Sequence, residues 1–150
     1  RIYGVYLDIA VKELPIKQAE EFYFLSIIYN LKQPKKTEVI YHTVNELSNG
    51  LNIINSLIKQ GYVTEESDQN DKRSKRVSLT PAGEGVLMMC YKEVRRLTEM
   101  MFFDVSPDDI NICIQLLKHT EQKFSGKWLL HKGQSFDAIY NEITGNTDDE

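Results

Sequence analysis

Apolar residues recur along most of the chain at intervals of three and four, the spacing that places them on one face of an α-helix. This pattern predicts helices over residues 2–14, 16–31, 37–44, 47–60, 81–103, 107–124 and 136–143. Thr37, Thr80 and Ser106 stand at predicted helix starts, and Pro81 follows Thr80 at a first helical position. Residues 62–64 and 76–79 have the β-branched or alternating character of strands, and the polar stretch 65–75 predicts a long loop between them. The sequence therefore predicts a mainly α protein with one small β-hairpin.

Residues 47–60 separate polar from apolar side chains on a helical wheel. Ser48, Asn52, Asn55 and Lys59 lie within about 60° of one another at 100° per residue. Leu47, Leu51, Ile54 and Ile58 form a separate apolar stripe, which is predicted to face the core. With Asn49 and Ser56 added, the polar face holds amides, hydroxyls and a lysine but no acidic residue. A merely solvated face usually mixes Glu with Lys, so this face favours a negatively charged partner.

Basic residues are concentrated at the far side of the predicted hairpin. Lys72, Arg73, Lys75 and Arg76 place four positive charges in five positions. Such side chains contact phosphates or enter the narrow minor groove of A·T stretches. Asp68 and Asp71 partly offset this charge, and a charge run by itself is more often solvated surface. Its position after an acid-free helix strengthens the nucleic-acid interpretation.

Length and charge distribution limit the possible architectures. The chain has 150 residues, enough for one domain with its own core. Its formal net charge is -4, which taken alone argues against a nucleic-acid partner. Residues 32–80, however, contain eight Lys and Arg against six Asp and Glu, so the negative charge belongs to the flanking segments.

Several functional classes lack support in the sequence. No apolar stretch is long enough to span a membrane, and the expected location is the cytoplasm. Cys90 and Cys113 are too far apart for a CxxC motif, and each lies in an apolar stripe, which favours core packing over redox sensing. The histidines and cysteines show no zinc-ligand spacing, and no phosphate loop or nucleophile constellation occurs. We therefore expect no enzyme activity, no metal and no cofactor.

Two short helices followed by a hairpin are the parts of a winged helix-turn-helix, in which one helix enters the DNA major groove. Residues 71–83, DKRSKRVSLTPAG, meet every fixed position of D-x-R-x-x-x-V-x-L-T-x-x-G, the wing signature of the MarR family of bacterial transcriptional regulators. Residues 57–63, LIKQGYV, resemble the family's recognition-helix end and first wing strand. The resemblance is specific over about residues 34–83, and the order of helices extends it over most of the chain.

The resemblance implies a homodimer that reads a palindromic operator in double-stranded DNA. Residues 32–80 would be the DNA-binding lobe, residues 1–31 and 81–144 the dimerisation region, and residues 145–150 an acidic tail. Asp71 would pair with Arg73 to hold the wing, and Arg73 would approach the minor groove. The predicted DNA contacts are Lys36, Thr37, Ser48, Asn49, Asn52, Asn55, Ser56, Lys59, Lys72, Arg73, Ser74, Lys75 and Arg76. Residues beyond Gly126 extend past the family's usual last helix.

Effector binding and partner choice leave alternatives open. Many relatives bind small phenolic or lipophilic molecules between the dimer helices and the DNA-binding lobe, so a small aromatic or lipophilic effector is one interpretation. The first two helices are rich in aromatic residues (Tyr3, Tyr6, Phe22, Tyr23, Phe24 and Tyr29), a pattern that is more often core or dimer interface than ligand pocket. No Cys precedes Cys90, which disfavours the oxidant sensing known in the family. The alternative function is a winged helix that serves as a protein–protein interaction module.

Overall fold

The computed structural model describes residues 2–69, 71 and 73–145 of the chain. Its elements are α1 (Ile2–Val11), α2 (Ala19–Leu31), α3 (Lys36–His42), α4 (Leu47–Lys59), β1 (Val63–Ser67), β2 (Lys75–Leu79), α5 (Pro81–Phe102), α6 (Pro107–Phe124), α7 (Trp128–His131) and α8 (Phe136–Thr144). The predicted mainly α class with a two-stranded hairpin is confirmed. Residues 146–150 of the predicted acidic tail lie outside the described part. The chain divides into two compact units, residues 1–103 and 104–150, which are taken separately below.

The helices on either side of Pro15 are shorter than the sequence predicts. α1 ends at Val11, and the Leu14 amide donates to the Val11 carbonyl at 3.0 Å in the turn that follows. α2 begins only at Ala19. A proline disfavours helical conformation in the residue before it and has no N–H to donate. The periodic apolar pattern therefore continues through residues that are not helical.

The start of α3 also differs from the prediction. Lys35 occupies the N-cap position, and its backbone N–H donates to Glu38 Oε2 at 2.7 Å. A glutamate three residues into a helix can satisfy the cap residue's own N–H in this way. Thr37, predicted as the cap, therefore lies inside the first turn.

The first unit has one main core and a smaller cluster beside it. α2, α3, α4, α5 and the hairpin enclose side chains with no exposed surface: Phe24, Leu25, Ile28, Val39, Ile40, Ile54, Leu57, Val77, Leu87 and Cys90. Leu7 and Val11 of α1 pack with Ala19 and with Leu97 of α5 in the second cluster. α2 and α5 thus contribute to both clusters, and in the main core their side chains pack together with those of α3 and α4.

The two cysteines have different environments. Cys90 is buried in the main core, and burial raises the pKa of its thiol to about 11. A thiol that stays protonated at neutral pH packs as a small apolar group, which confirms the predicted core role for Cys90. The same prediction is wrong for Cys113, which is exposed on α6.

The second unit consists of α6, α7 and α8, of which the short α7 was not predicted. The predicted α6 stripe of Ile110, Cys113, Leu117 and Phe124 contains no buried residue. An apolar stripe is buried only if a second apolar surface covers it, and within the second unit α7 and α8 do not bury any residue of α6. Lys127 Nζ and His131 Nε2 lie 3.2 and 3.5 Å from the Glu142 carboxylate, linking the α7 region to α8. These contacts, that of Lys127 foremost, lower the pKa of Glu142.

Candidate nucleic-acid interface

α3 and α4 form a helix-turn-helix whose turn is residues 43–46. The two helices approach closely at Gly50, where a Cβ atom would lie 2.6 Å from Ile40 Cγ1. Such contact with an apolar side chain leaves no room for a larger residue without repacking. Gly50 is therefore a packing position, and it brings one side of α4 against α3.

The buried face of α4 is rotated from the predicted one. Its buried residues are Gly50, Ile53, Ile54 and Leu57, whereas Leu47 is 49% exposed. Leu51 and Ile58 are only partly buried. The contact between Gly50 and α3 turns the helix, so its buried face lies opposite the polar face instead of beside it. The predicted stripe is correct for Ile54 and wrong for Leu47.

Most of the polar side chains predicted on α4 reach the solvent. Ser48, Asn49, Asn52, Asn55 and Lys59 are exposed, and the helix contains no acidic residue. Asn49 Nδ2 donates to Asn45 Oδ1 at 2.8 Å, and Lys36 Nζ donates to Asn55 Oδ1 at 3.4 Å. Within the described residues, the Asn52 side chain makes no hydrogen bond. This exposed surface of α4, from Ser48 to Lys59, is called the amide face below.

Ser56 does not belong to the amide face. Its hydroxyl donates to Glu21 Oε1 at 3.1 Å and accepts from Lys17 Nζ at 3.1 Å. These partners belong to α2 and to the segment before it, on the flank of α4. The structure thus separates Ser56 from the other α4 residues of the predicted site.

The hairpin has longer strands and a shorter loop than the sequence predicts. β1 pairs with β2 antiparallel from Val63 opposite Leu79 to Ser67 opposite Lys75, which leaves residues 68–74 as the loop. The polar residues 65–67 are paired through their backbones, although acidic residues are uncommon in strands. Lys35 forms an additional bridge with Arg76, and the Val77 amide donates to the Pro34 carbonyl at 3.0 Å. The wing is therefore fastened to the segment between α2 and α3.

Two aspartates organise the wing loop, and sequence reasoning assigned a structural role to only one of them. Asp68 is 2% exposed; its Oδ1 accepts from the Asp71 amide at 2.9 Å and its Oδ2 pairs with the Arg76 guanidinium. Asp71 accepts from the Ser74 hydroxyl at 2.7 Å and from the Arg73 amide at 3.1 Å, and these bonds, the hydroxyl's foremost, lower the pKa of Asp71. The Asp71–Arg73 contact is thus to the backbone, and a described ion pair within the wing joins Asp68 to Arg76 instead.

A cleft of about 210 Å³ lies between the wing and the helix-turn-helix. Its lining consists of Lys35, Lys36, Thr37, Leu51, Arg73, Ser74 and Lys75. This basic cleft brings the predicted contacts on α3 next to those on the wing. Lys36 also pairs with Glu65, and the hydrogen bond from Lys36 is the main cause of the lowered pKa of Glu65. Arg73 and Lys75 are exposed at the cleft, and Lys75 Nζ donates to Ser67 Oγ at 3.0 Å.

Two wing residues that were predicted to contact DNA, Arg76 and Lys72, differ from the exposed Arg73 and Lys75. Arg76 is held by Asp68 and donates from Nη1 to the Gln33 carbonyl at 2.6 Å, so its guanidinium serves within the wing. Lys72 lies outside the described residues. Lys35, in contrast, was not predicted although it lines the basic cleft. The sequence feature that could have indicated Lys35 is its position directly before Lys36 and Thr37, two predicted DNA contacts at a helix start.

The turn of the helix-turn-helix contains a strained residue, Val44, with φ of 54°. Left-handed backbone is unfavourable for β-branched residues. Because the side chain is 66% exposed, we expect Val44→Gly to relieve the strain without losing packing and to stabilise the chain by about 1 kcal/mol. The urea midpoint of unfolding measures this. Val44→Ala retains a Cβ and should gain less; a glycine variant no more stable than the alanine variant would contradict the expectation.

A larger cavity, of about 400 Å³, lies between α2 and the end of α3. It is lined by Glu20, Tyr23, Phe24, Ser26, Ile27, His42, Thr43 and Asn45. Burial raises the pKa of Tyr23, and Tyr3, Asp8 and Glu20 act in the same direction. The cavity therefore combines the aromatic rings of Tyr23 and Phe24 with the side chains of Glu20 and His42.

The described residues contain neither a group of metal-ligating side chains nor a candidate membrane-spanning helix. No cluster of three or more His, Cys, Asp and Glu side chains there could hold a metal ion. No helix within the same residues combines the length and apolar character needed to cross a bilayer.

Comparison with known proteins relates this geometry to a recognised domain. Residues 21–83 match the family model described as a winged helix DNA-binding domain, and no curated protein matches the sequence. A SlyA-like transcription regulator from Listeria monocytogenes is 19% identical over 90% of each chain, with a TM-score of 0.79. A MarR protein from Peptoclostridium difficile is 25% identical over 86% of this chain and 84% of its own, with a TM-score of 0.76.

A third solved structure includes DNA. A mutant of MarR from E. coli, complexed with operator DNA, is 22% identical over 79% of this chain and 85% of its own, with a TM-score of 0.72. These likenesses confirm the resemblance in fold that the wing signature indicated. The match to the family model begins at residue 21, within α2.

Proposed function

We propose that this chain, which carries a winged-helix DNA-binding domain within the fold of the MarR-family regulators, is a sequence-specific, DNA-binding transcription regulator. The amide face is the observation that carries this proposal. Asn pairs bidentately with adenine, and Ser and Lys offer further hydrogen bonds to base edges in the major groove. An exposed, acid-free helix of this composition suits that groove, and the structural likeness to a regulator complexed with operator DNA supports the assignment.

The proposed division of labour follows from the positions of the charges. Lys35, Arg73 and Lys75 at the basic cleft would contact phosphates or the minor groove, and Asn52 and its neighbours would read bases. Phosphate contacts fix the position on the duplex, whereas base contacts supply sequence discrimination. Because residues 32–80 contain only two more basic than acidic residues, we expect modest affinity for random DNA.

We further propose that the active form is a homodimer on a palindromic operator. Support comes from apolar side chains that the single chain leaves exposed on the helices flanking the lobe: Ile2, Val5 and Ile9 on α1, Met100 on α5, and Leu116 and Leu117 on α6. Each of the two units thus exposes apolar side chains, and exposed apolar surface is typical of protein–protein interfaces. Sedimentation should give about twice the chain mass of 17.4 kDa, and a monomer would contradict this part of the proposal.

The cavity between α2 and α3 is the place we propose for a small aromatic effector. Tyr23 and Phe24 offer aromatic walls, and Glu20 with nearby Asp8 disfavours a carboxylate or phenolate ligand. The expected ligand is therefore a neutral or cationic aromatic compound, and cation–π contact with Tyr23 favours the cation. A raised melting temperature with aromatic amines, absent in Glu20→Gln, would support this site; equal shifts with benzoates would contradict it.

Two substitutions test DNA recognition itself. A duplex recovered by selection from random sequences serves as operator, and fluorescence anisotropy gives its affinity and that of a scrambled duplex. Asn52→Ala should lower the operator-to-scrambled affinity ratio about tenfold, because a base contact is lost. Arg73→Ala should weaken both duplexes and reduce the salt slope by about one.

Matched controls remove the same groups elsewhere on the first unit. Asn30→Ala removes an exposed amide at the end of α2, and Arg95→Ala removes an exposed charge on α5; both should bind as wild type does. Wild-type protein with no affinity for any duplex at low salt would overturn the regulator assignment and favour the protein-interaction module. Equal ratios for wild type and Asn52→Ala would overturn the role of the amide face.

A further inference from the structure

A buried carboxylate joins α2 to the flank of α4. Glu21, in the first turn of α2, is 1% exposed. Its Oε1 accepts from Ser56 Oγ at 3.1 Å and from Gln60 Nε2 at 2.9 Å, and its Oε2 accepts from the Lys17 amide at 2.9 Å. Burying a charged group is costly unless its hydrogen-bonding capacity is used. The three bonds to Glu21 meet that requirement.

Two of its partners, Ser56 on α4 and Gln60 at the C-cap of α4, are one helical turn apart. Gln60 Nε2 also donates to Ser56 Oγ at 3.2 Å, so the two side chains and the carboxylate form one network. Lys17 Nζ donates to the same hydroxyl at 3.1 Å. Hydrogen bonds require a defined angle between donor and acceptor. Two such bonds at positions one turn apart therefore oppose rotation of α4 about its axis and sliding along it.

The remaining packing of α4 lacks this directional character. Its buried side consists of Ile53, Ile54 and Leu57 together with Gly50, and apolar burial has no preferred direction. The contact of Gly50 with Ile40 selects the face of α4 that is buried, and the hydrogen bonds to Glu21 add directional contacts to that packing. The amide face lies on the side of α4 opposite this packing, so any rotation carries Asn52 and Asn55 across the bases they would read.

We propose that Glu21 is a positioning residue for DNA reading: its buried carboxylate fixes the rotation of α4 and thereby sets which base edges the amide face meets. This inference rests on the proposed function. It concerns the discrimination between sequences and not the affinity for phosphates, because Glu21 does not line the basic cleft and its partners Ser56 and Gln60 lie off the amide face. Loss of the network should therefore relax sequence preference while random-DNA affinity stays the same.

The test compares Glu21→Gln with the exchange variant Glu21→Gln/Gln60→Glu. In the first, one carboxylate oxygen becomes an amide donor, so the single remaining oxygen cannot accept from Ser56, Gln60 and the Lys17 amide together. We expect the ratio of operator to scrambled affinity to fall about tenfold, the size typical of a buried polar group left unsatisfied. The exchange variant restores an amide–carboxylate pair in the reverse direction and should recover most of the ratio. Glu13→Gln, an exposed residue with the same charge change, is the matched control.

The outcomes separate this inference from the proposed function. If the wild-type protein has no affinity for DNA, both the proposed function and this inference are wrong. If the wild-type protein and Glu21→Gln discriminate equally well, and circular dichroism shows that both are folded, this inference alone is wrong. An unchanged ratio in the exchange variant relative to Glu21→Gln also contradicts it. If Glu21→Gln does not fold, Gln60→Ala breaks the same contact from the α4 side; a ratio within twofold of wild type would then overturn the positioning role.

Discussion

Replacing Gly83 with alanine is expected to destabilise the DNA-binding lobe by about 3 kcal/mol, the upper range for overpacking a rigid contact. A Cβ atom at Gly83 would lie 2.0 Å from the Tyr62 carbonyl oxygen and 2.9 Å from its carbon. These are backbone atoms, and the same carbonyl accepts from the Thr80 amide at 3.0 Å. Thr80 Oγ1 in addition donates to the Gly61 carbonyl at 2.7 Å and accepts from the Gly83 amide at 3.1 Å.

The clash cannot be relieved by one side chain moving. The start of α5 and the residues before β1 would have to separate, and the cap of α5 would be lost with them. Thermal unfolding followed by circular dichroism should show a melting temperature lower by about 10 °C for a change of this size. DNA affinity should fall with it when measured near that temperature.

Gly85→Ala is the matched control for Gly83→Ala. It lies on the same helix, is exposed, and a Cβ there would meet no atom within 4 Å. Alanine is favoured over glycine inside a helix by roughly 0.5–1 kcal/mol, so this variant should be slightly more stable than wild type. Effects of equal sign and size at the two positions would show that helix propensity, and not the contact with Tyr62, governs Gly83.

Replacing Asp68 with alanine is expected to loosen the wing and to lower operator affinity about tenfold, which corresponds to 1.4 kcal/mol. The carboxylate holds the Asp71 amide and the Arg76 guanidinium, and the Asp68 amide in turn donates to the Ser74 carbonyl at 3.1 Å. Loss of a buried acceptor leaves these donors unsatisfied. Since the Arg76 side chain is 37% exposed, water compensates part of the loss, and global stability should change by no more than about 2 kcal/mol.

The loss of negative charge in Asp68→Ala would by itself strengthen DNA binding, so the direction of the change in affinity distinguishes the charge effect from the loosening of the wing. Removing a negative charge near DNA normally strengthens binding because phosphate repulsion is reduced. Glu66→Ala, which removes an exposed carboxylate from β1, should therefore bind slightly tighter, whereas Asp68→Ala should bind weaker. Hydrogen exchange at residues 73–76 should accelerate only in Asp68→Ala. Tighter binding by both variants would contradict the structural role of Asp68.

The order of elements and the position of the wing could be predicted because both depend on local signals. Apolar periodicity marks the helices, and Thr80, Pro81 and Gly83 form a capped helix start that is visible in the sequence. The structure adds the reason for Gly83, whose lack of a Cβ allows the contact with Tyr62.

The rotation of α4 could not be predicted because it depends on other helices. The helical wheel placed Leu47 in the apolar stripe and left Leu57 out of it, yet Leu57 has no exposed surface and Leu47 is 49% exposed. What decides between them is the approach of Ile40 at Gly50, a contact between residues of different helices. The polar residues predicted on α4 are nevertheless exposed, apart from Ser56, and the absence of acidic residues does not depend on the rotation.

The burial of two carboxylates, those of Glu21 and Asp68, also could not be predicted from the sequence. Glu21 stands in a first helical turn, where an acidic residue usually interacts with the helix dipole at the surface, and Asp68 stands among turn-forming residues. Nothing in the adjacent sequence distinguishes either from an exposed carboxylate. Their side-chain partners are 35 and 39 residues away for Glu21 and eight residues away for Asp68.

The attachment of the wing to residues 33–35 has a consequence for the thermodynamics of association. Because Pro34, Gln33 and Lys35 are bonded to Val77 and Arg76 on β2, both walls of the basic cleft are set before any duplex arrives. Fixing a flexible residue costs about 1–2 kcal/mol in conformational entropy, and a preorganised cleft avoids most of that cost on binding. The lobe should thus meet DNA as a rigid body, and the free energy of its contacts is retained as affinity instead of being spent on ordering a loop.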